Sequence, residues 1–406
     1  MTRYRAAWVV PVAGPPLRDA WVAVSGDRIV AVGRDHDPTT PVVDLGQVTL
    51  MPGLVNAHTH LELSHLRDQI PPASDFVTWV RGVMATRRPG AGPSADTVAA
   101  GIQAGIDEAV ASGTVLVGDI SNTLAPWTLL AASPLGGVLF NEIIRFNTPD
   151  PVAVVAQACQ QIDALPPAAG LRASLAAHAP YSVAPLVFRA IRDEIDRRPF
   201  LPYSVHLAES RDESEFIRTG GGQWRTFLEQ VGSWDPAWTA PGGTPVDYLD
   251  DAGFVSGRSL VVHGVQMTGA DLARIARRGA TLVTCPRSNV YTGAGRPPVE
   301  AFYAAGVPVA VGTDSLASTP DLNLFSELAS MHALAPNVPA ARLIESATVV
   351  GARALGFESE FGTLEPGKRA RLLSVETPAD VVDVEQYLVS GIAPSRLRWV
   401  TGASRS

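Results

Sequence analysis

The stretch Met51-Pro-Gly-Leu-Val-Asn-Ala-His-Thr-His60 decides how the rest of the chain is read. Met51 to Val55 reads as a buried strand entered from a turn, and the strand ends in His58 and His60. Residues two apart on a strand share a face. Both imidazoles then leave one rigid strand end side by side, the spacing a metal ion needs from a single element. An isolated His-x-His is equally well read as two satisfied polar histidines. The weight therefore falls on whether the pattern repeats.

It does. Eight apolar stretches read as strands, at 50–60, 114–119, 137–144, 172–179, 203–209, 259–265, 280–289 and 307–314. Helix-like segments separate most of them, at 94–111, 151–164, 184–196, 212–231, 269–278 and 298–305. Strand–helix alternation repeated in this way predicts an α/β fold, a (β/α)8 TIM barrel, with a doubly wound open sheet as the alternative. Residues 1–50 read as short strands, and the chain returns to strand at 361–375 after a helical stretch from Asn323. The expected organisation is a small β-sandwich-like domain formed from both termini, 1–50 and 356–406, around a barrel at 51–355. The Gly- and Pro-rich stretch from Arg88 to Ser94 reads as a loop, and 232–247 as an irregular insertion.

Of the eight histidines, five end a proposed strand: His58, His60, His178, His206 and His263. The eighth strand ends in Asp314. Each alone has a plainer reading: His178 or His263 as a core histidine, Asp314 as a helix cap. Joint placement at one end of one barrel, where active sites are built, argues against the plain readings.

Composition narrows the classes. At 406 residues, 46% hydrophobic and 18% charged, the chain is of globular type. A net charge of -8 argues against a nucleic-acid surface. No apolar run reaches the ~18 residues of a membrane span. The N-terminal apolar run is broken by Pro11 and reads as a strand, not a signal peptide. Only Cys159 and Cys285 are present, without CxxC spacing, which fits a reducing cytoplasm. There is a single lysine, Lys368.

At this point the residues resemble the amidohydrolase superfamily over nearly the whole chain. The matching pieces are Pro52-Gly-Leu-Val-Asn-Ala-His-Thr-His, His206-Leu-Ala-Glu209-Ser, Val262-His263-Gly, Thr284-Cys-Pro-Arg-Ser-Asn289, Gly312-Thr-Asp314-Ser and Gly362-Thr-Leu-Glu-Pro-Gly-Lys368. Within it the chain is similar to the branch of S-adenosylhomocysteine, guanine and cytosine deaminases and triazine hydrolases. His178-Ala-Pro-Tyr-Ser resembles a substrate-contacting segment of nucleoside deaminases, and His60-Leu-Glu-Leu-Ser resembles members assigned to 6-amino-6-deoxyfutalosine.

Many relatives bridge two metals with a carbamylated lysine at the end of strand 4. Here that strand ends Ala176-Ala-His178, and the only lysine is far along the chain, so a carbamate bridge cannot form. The resemblance then implies one divalent metal, Zn²⁺ with Fe²⁺ as rival, held by His58, His60, His206 and Asp314. It implies Glu209 as proton carrier, assisted by Asp314 and by His263 beside the attacking oxygen. Glu209 would point away from the barrel if its strand continued, so the chain is expected to bend there. Substrate contacts are expected from His178 and, with surface or structural roles equally open, from Glu62, Glu142, Arg145 and Arg287. His65 and His332 stay unassigned. The expected activity is deamination of an aminopurine nucleoside or other amino-N-heterocycle. Triazine-type hydrolysis, another cyclic C–N hydrolysis, or a non-catalytic metal-binding protein are the alternatives. The expected partner is a small-molecule substrate, with no nucleic acid or membrane, and a homo-oligomer is left open.

Overall fold

The computed structural model describes residues 1–35, 41–86 and 92–400. Most of the predicted loop from Arg88 lies outside the described residues, as does His36.

Two sheets organise the chain. The first five strands are β1 (Thr2–Val9), β2 (Leu17–Ser25), β3 (Arg28–Gly33), β4 (Val42–Asp44) and β5 (Val48–Pro52). The next eight are β6 (Leu54–Thr59), β7 (Thr114–Ser121), β8 (Gly136–Ile143), β9 (Leu171–Ala177), β10 (Tyr203–Leu207), β11 (Ser259–His263), β12 (Thr281–Thr284) and β13 (Val309–Val311). Last come β14 (Leu372–Glu376) and β15 (Leu397–Trp399), which join β1–β5 in one seven-stranded sheet from both termini.

Strands β6 to β13 pair in sequence order and in parallel, as a TIM barrel requires. Strands β6, β7, β8 and β10 are buried at every position. That is why they read as continuous apolar runs and not as alternating patterns. The barrel closes between β6 and the end of β13. The amides of Thr313 and Asp314 both donate to the His58 carbonyl at 3.1 Å. The Asn56 amide donates to Thr313 Oγ1 at 2.7 Å, and Asn56 Oδ1 accepts from the Thr313 N–H at 3.1 Å. This seam places the first histidine directly beside the last acidic residue of the motif set.

Several expected boundaries shift, each for a local reason. The strand expected at 50–60 is two strands in two sheets, divided at Gly53. A Cβ there would lie 2.2 Å from a Val115 methyl and 2.9 Å from the Trp399 ring, so the chain crosses between sheets where only hydrogen fits. The strand expected at 280–289 stops at Thr284. Pro286 then opens helix Pro286–Tyr291, a position that suits its missing N–H. The helix expected at 212–231 is two, Arg211–Thr219 and Gly222–Gln230, because Gly220 takes a left-handed φ of 72° and caps the first. In the segment expected as strand at 361–375, strand begins only at Leu372.

Candidate active site

The mouth of the barrel gathers the predicted residues. Ring centroids of His58 lie 5.0 Å from those of both His60 and His206, and 5.6 Å from that of His263. Asp314 Oδ1 sits 3.8 Å from His58 Nε2 and 3.6 Å from His60 Nε2. These separations are long for hydrogen bonds. They match two atoms held by one ion, since ligands about 2.1 Å from a tetrahedral metal lie about 3.4 Å apart. Among the described residues, the ligating atoms of His58, His60 and Asp314 fall within 4.8 Å of one another, as do those of His58, His206 and His263.

The chemistry of the donors fits a cation. His58 is fully buried, and neither of its ring nitrogens has a hydrogen-bond partner among the described residues. A buried polar group left so is costly unless something binds it. Burial, reinforced by neighbouring imidazoles, holds His58 and His263 well below the usual histidine pKa and brings His206 down to about 4. These three imidazoles are therefore held toward the neutral form, the form that binds metal. His206 Nδ1 lies 2.8 Å from the His178 carbonyl, which it meets as a donor, leaving Nε2 as the ligating atom. The Asn289 amide donates to His263 Nδ1 at 2.9 Å, which puts the proton on Nε2. That Nε2 faces Glu209 Oε1 at 3.5 Å.

Asp314 is aimed by two hydroxyls. Ser288 Oγ and Ser318 Oγ donate to its Oδ2 at 2.5 and 3.1 Å, which turns Oδ1 toward the histidines. Three non-glycine residues at strand ends take left-handed backbone: Ala208 (φ 53°), His263 (φ 76°) and Asp314 (φ 59°). Such conformations are uncommon and concentrate at functional sites. At Ala208 the turn does what the sequence requires of it. β10 ends at Leu207, the chain reverses its facing, and Glu209 enters the cavity instead of pointing outward. Burial, with the nearby Asp314 and Glu213 charges, raises the Glu209 carboxyl well above its usual range.

The cavity, about 280 Å³, joins this cluster to an aromatic wall. Helix Phe76–Thr86 contributes Phe76, Trp79, Val80 and Val83, and the second helix contributes Trp224, Phe227, Leu228 and, just past its end, Val231. Both sets follow i, i+3, i+4, i+7 spacing, one face of a helix each. Tyr181 stacks on Trp224 at 3.8 Å.

The structure divides the proposed substrate contacts. His178, Glu142 and Arg145 line the cavity. Glu62 and Arg287 do not. Glu62 accepts from Ser121 Oγ (2.6 Å), Thr123 Oγ1 (2.9 Å) and the Asn122 N–H (3.1 Å), and so shapes the loop after β7. Arg287 bonds Glu327 at 2.7 Å and Asp321 at 2.9 Å. Its guanidinium is committed before any substrate carboxylate arrives. His65 Nδ1 lies 2.9 Å from the Glu62 carbonyl, outside the cavity, and His332 lies on helix Leu324–Leu334. Sequence reading missed Ser288, Asn289, Ser318 and Glu213, whose partners are far away or around a bend. It also missed the aromatic wall, although the helical spacing of 76, 79, 80 and 83 was there to be counted.

Gly312 supplies a test of the seam. A Cβ there would lie 2.6 Å from the His58 carbonyl oxygen and 3.0 Å from its amide nitrogen, both backbone atoms that cannot swing away. Gly312→Ala is expected to displace His58 and weaken metal retention by roughly 10–100-fold, the range seen when ligand orientation is disturbed. Competition with a chelator of known affinity measures it, and unchanged retention would show that the seam does not set the ligand.

The amidohydrolase family model matches residues 49–396. An aminodeoxyfutalosine deaminase of Deinococcus radiodurans is 34% identical over 360 residues, 84% of this chain and 82% of that protein. An aminofutalosine deaminase of Helicobacter pylori, solved in complex with methylthio-coformycin, superposes with a TM-score of 0.86 at 26% identity, covering all of both chains. An adenosine deaminase of Xanthomonas campestris with bound zinc gives a TM-score of 0.83 at 28% identity, over 99% of this chain and 92% of that one. With a seam and mouth of this kind and a match of that extent, the chain belongs to the amidohydrolase family.

Proposed function

We propose that this protein is a metal-dependent hydrolytic deaminase of an aminopurine nucleoside or a similar amino-N-heterocycle. 6-Amino-6-deoxyfutalosine and adenosylhomocysteine-like nucleosides lead the candidates. The observation that carries the reading is Glu209, turned at Ala208 into the cavity and set 3.5 Å from His263 above the histidine cluster. The relatives' names and the aromatic wall support it, since a nucleoside with an apolar extension fits a cavity of this lining.

His58, His60, His206 and Asp314 would hold one divalent ion, Zn²⁺ or Fe²⁺. Bound there, such an ion would supply activated water by lowering its pKa to about 7. Glu209, whose carboxyl burial raises well above its usual range, protonates the ring nitrogen beside the amine-bearing carbon; the proton that Asp314 takes from the attacking oxygen goes to the departing amine, and the hydroxyl left on that carbon returns its own proton to Glu209. His263 Nε2–H donates to the attacking oxygen, and Asp314 accepts its proton. His178 Nδ1 meets Ser182 Oγ at 2.6 Å, and that hydroxyl donates onward to the Ala179 carbonyl, leaving His178 Nε2 as an acceptor for substrate. Two buried free cysteines, Cys159 and Cys285, support a reducing cytoplasm, and no described helix is long and apolar enough to cross a membrane.

Ammonia release tests the activity, with metal-replete protein offered aminopurine nucleosides, aminodeoxyfutalosine, free bases and chloro- and alkylamino-triazines. Release from a nucleoside is expected. Release only of chloride or alkylamine from triazines would move the reading to that rival. A second measurement concerns the metal itself. His206 Nδ1 is committed to the His178 carbonyl and β9, the fourth strand of the barrel, carries no lysine, so one equivalent per chain is expected. Two equivalents by elemental analysis, with both ions at the barrel mouth, would contradict it.

A further inference from the structure

Glu213 is a fully buried carboxylate that this chemistry leaves without a task. It follows Ser210 by three residues, the Ser-x-x-Glu signature of a helix capping box. Half of the box forms: Ser210 caps helix Arg211–Thr219 and accepts the Glu213 N–H at 3.1 Å. The other half is extended. Beyond the Ser210 N–H that a capping box assigns to the glutamate, Glu213 reaches further back along the chain. Its Oε1 accepts the Ala208 N–H at 2.9 Å, and its Oε2 accepts the Glu209 N–H at 2.8 Å.

Those two amides have no strand to serve them, because β10 ends at Leu207. Buried backbone donors must be paired somewhere. The carbonyls on the same bend are already tied to the chain after β11, Leu207 accepting from Gly264 at 3.1 Å and Ala208 from Gln266 at 2.8 Å. The bend is thus held from both sides, by backbone on one and by one carboxylate on the other. Successive N–H groups around a left-handed residue form a concavity that suits an anion. The first turn of a helix favours a negative charge as well.

We propose that Glu213 is the positioning residue for Glu209: by gripping the Ala208 and Glu209 amides it holds the bend that carries the proton carrier into the cavity. This rests on the reading of Glu209 given above. It differs from a merely structural role in one respect. A structural carboxylate would act on the whole fold, whereas a positioning one acts only through Glu209.

The test is a double-mutant cycle on the metal-replete enzyme. Glu213→Gln keeps the size but offers one acceptor to two donors. It is expected to lower kcat by about 10–100-fold, the scale of a misplaced reacting group. KM should stay within about two- to threefold, since the interaction lost serves the transition state. Metal content should not change. In a Glu209→Gln background the same substitution should cost no further activity, because there is no proton carrier left to place. Equal losses in both backgrounds, or none in the wild-type background, would overturn the proposal. Gly220→Ala strains the left-handed cap at the far end of the same helix, and it should lower Tm while leaving kcat unchanged. A matching loss of kcat there would reduce Glu213 to general helix stability. If Glu213→Gln does not fold, Glu213→Asp, which keeps the charge with a shorter reach, is read in the same cycle and to the same criteria. A wild-type enzyme that deaminates nothing would refute the deaminase reading itself. Deamination that is indifferent to Glu213 would refute only this inference.

Discussion

Glu209→Gln is expected to retain its metal and lose turnover by about 10²–10⁴-fold, the usual scale for removal of a general acid–base. The amide is nearly the same size and accepts the same space, so the bend at Ala208 and its bonds to Glu213 should persist. What it cannot do is take up and release a proton at neutral pH. Glu209 is not among the groups proposed to hold the ion; its carboxylate faces His263 Nε2, 3.5 Å away. Metal content and turnover should therefore separate. Parallel assays of bound metal and steady-state kcat read this. A variant within a few-fold of wild type would remove Glu209 from the chemistry, and one that lost its metal would place it among the ligands.

The second large effect distinguishes two histidines whose rings lie only 5.1 Å apart. His206→Ala deletes a proposed ligand and should weaken metal affinity by more than about 100-fold, since even residues that merely orient a ligand are worth ~10–100-fold. His178→Ala should leave the metal in place. The group of His178 that orients His206 is its backbone carbonyl, 2.8 Å from Nδ1, and the substitution keeps it. The side chain lost is an acceptor on the cavity wall. Its absence should cost about 1–3 kcal/mol, or roughly 5- to 150-fold in kcat/KM. Metal titration of both variants beside their kinetics is the check. Equal metal loss in both would redraw the ligand set, and undiminished kcat/KM in His178→Ala would end its assignment to substrate.

What the sequence made legible follows from the kind of signal each feature leaves. Barrel strands buried on both faces leave unbroken apolar runs, and so they were countable. Residues that end such strands sit by necessity at the mouth, which is how His58, His206, His263 and Asp314 could be placed without coordinates. The bend before Glu209 was legible from parity together with the role that the resemblance implies, because a glutamate three residues after an inward histidine must otherwise face out. Features that depend on a distant partner were not legible. Between a substrate carboxylate and a structural role for Arg287 the sequence could not choose, because nothing local announces Glu327, forty residues on. For Glu62 the sequence left substrate contact and surface placement open, and nothing local announces the Ser121–Thr123 loop that bonds it. Gly53 divides what reads as one strand, because Trp399 comes back from the far end of the chain to fill the space. Glu213 sat in plain view within a capping signature, but the signature predicts only a bond to Ser210 and says nothing of the further bonds to the bend before it.

The most direct measurement follows the substrate's amino group. Metal-replete protein, beside the same protein stripped by chelator, is given aminodeoxyfutalosine, 5′-methylthioadenosine or S-adenosylhomocysteine, and both ammonia and the 6-oxo product are quantified. One ammonia per 6-oxopurine formed, abolished by stripping and restored by Zn²⁺ or Fe²⁺, is the result this account predicts. Metal-replete protein that binds one ion at the barrel mouth yet releases no ammonia from any amino-substituted purine would contradict it.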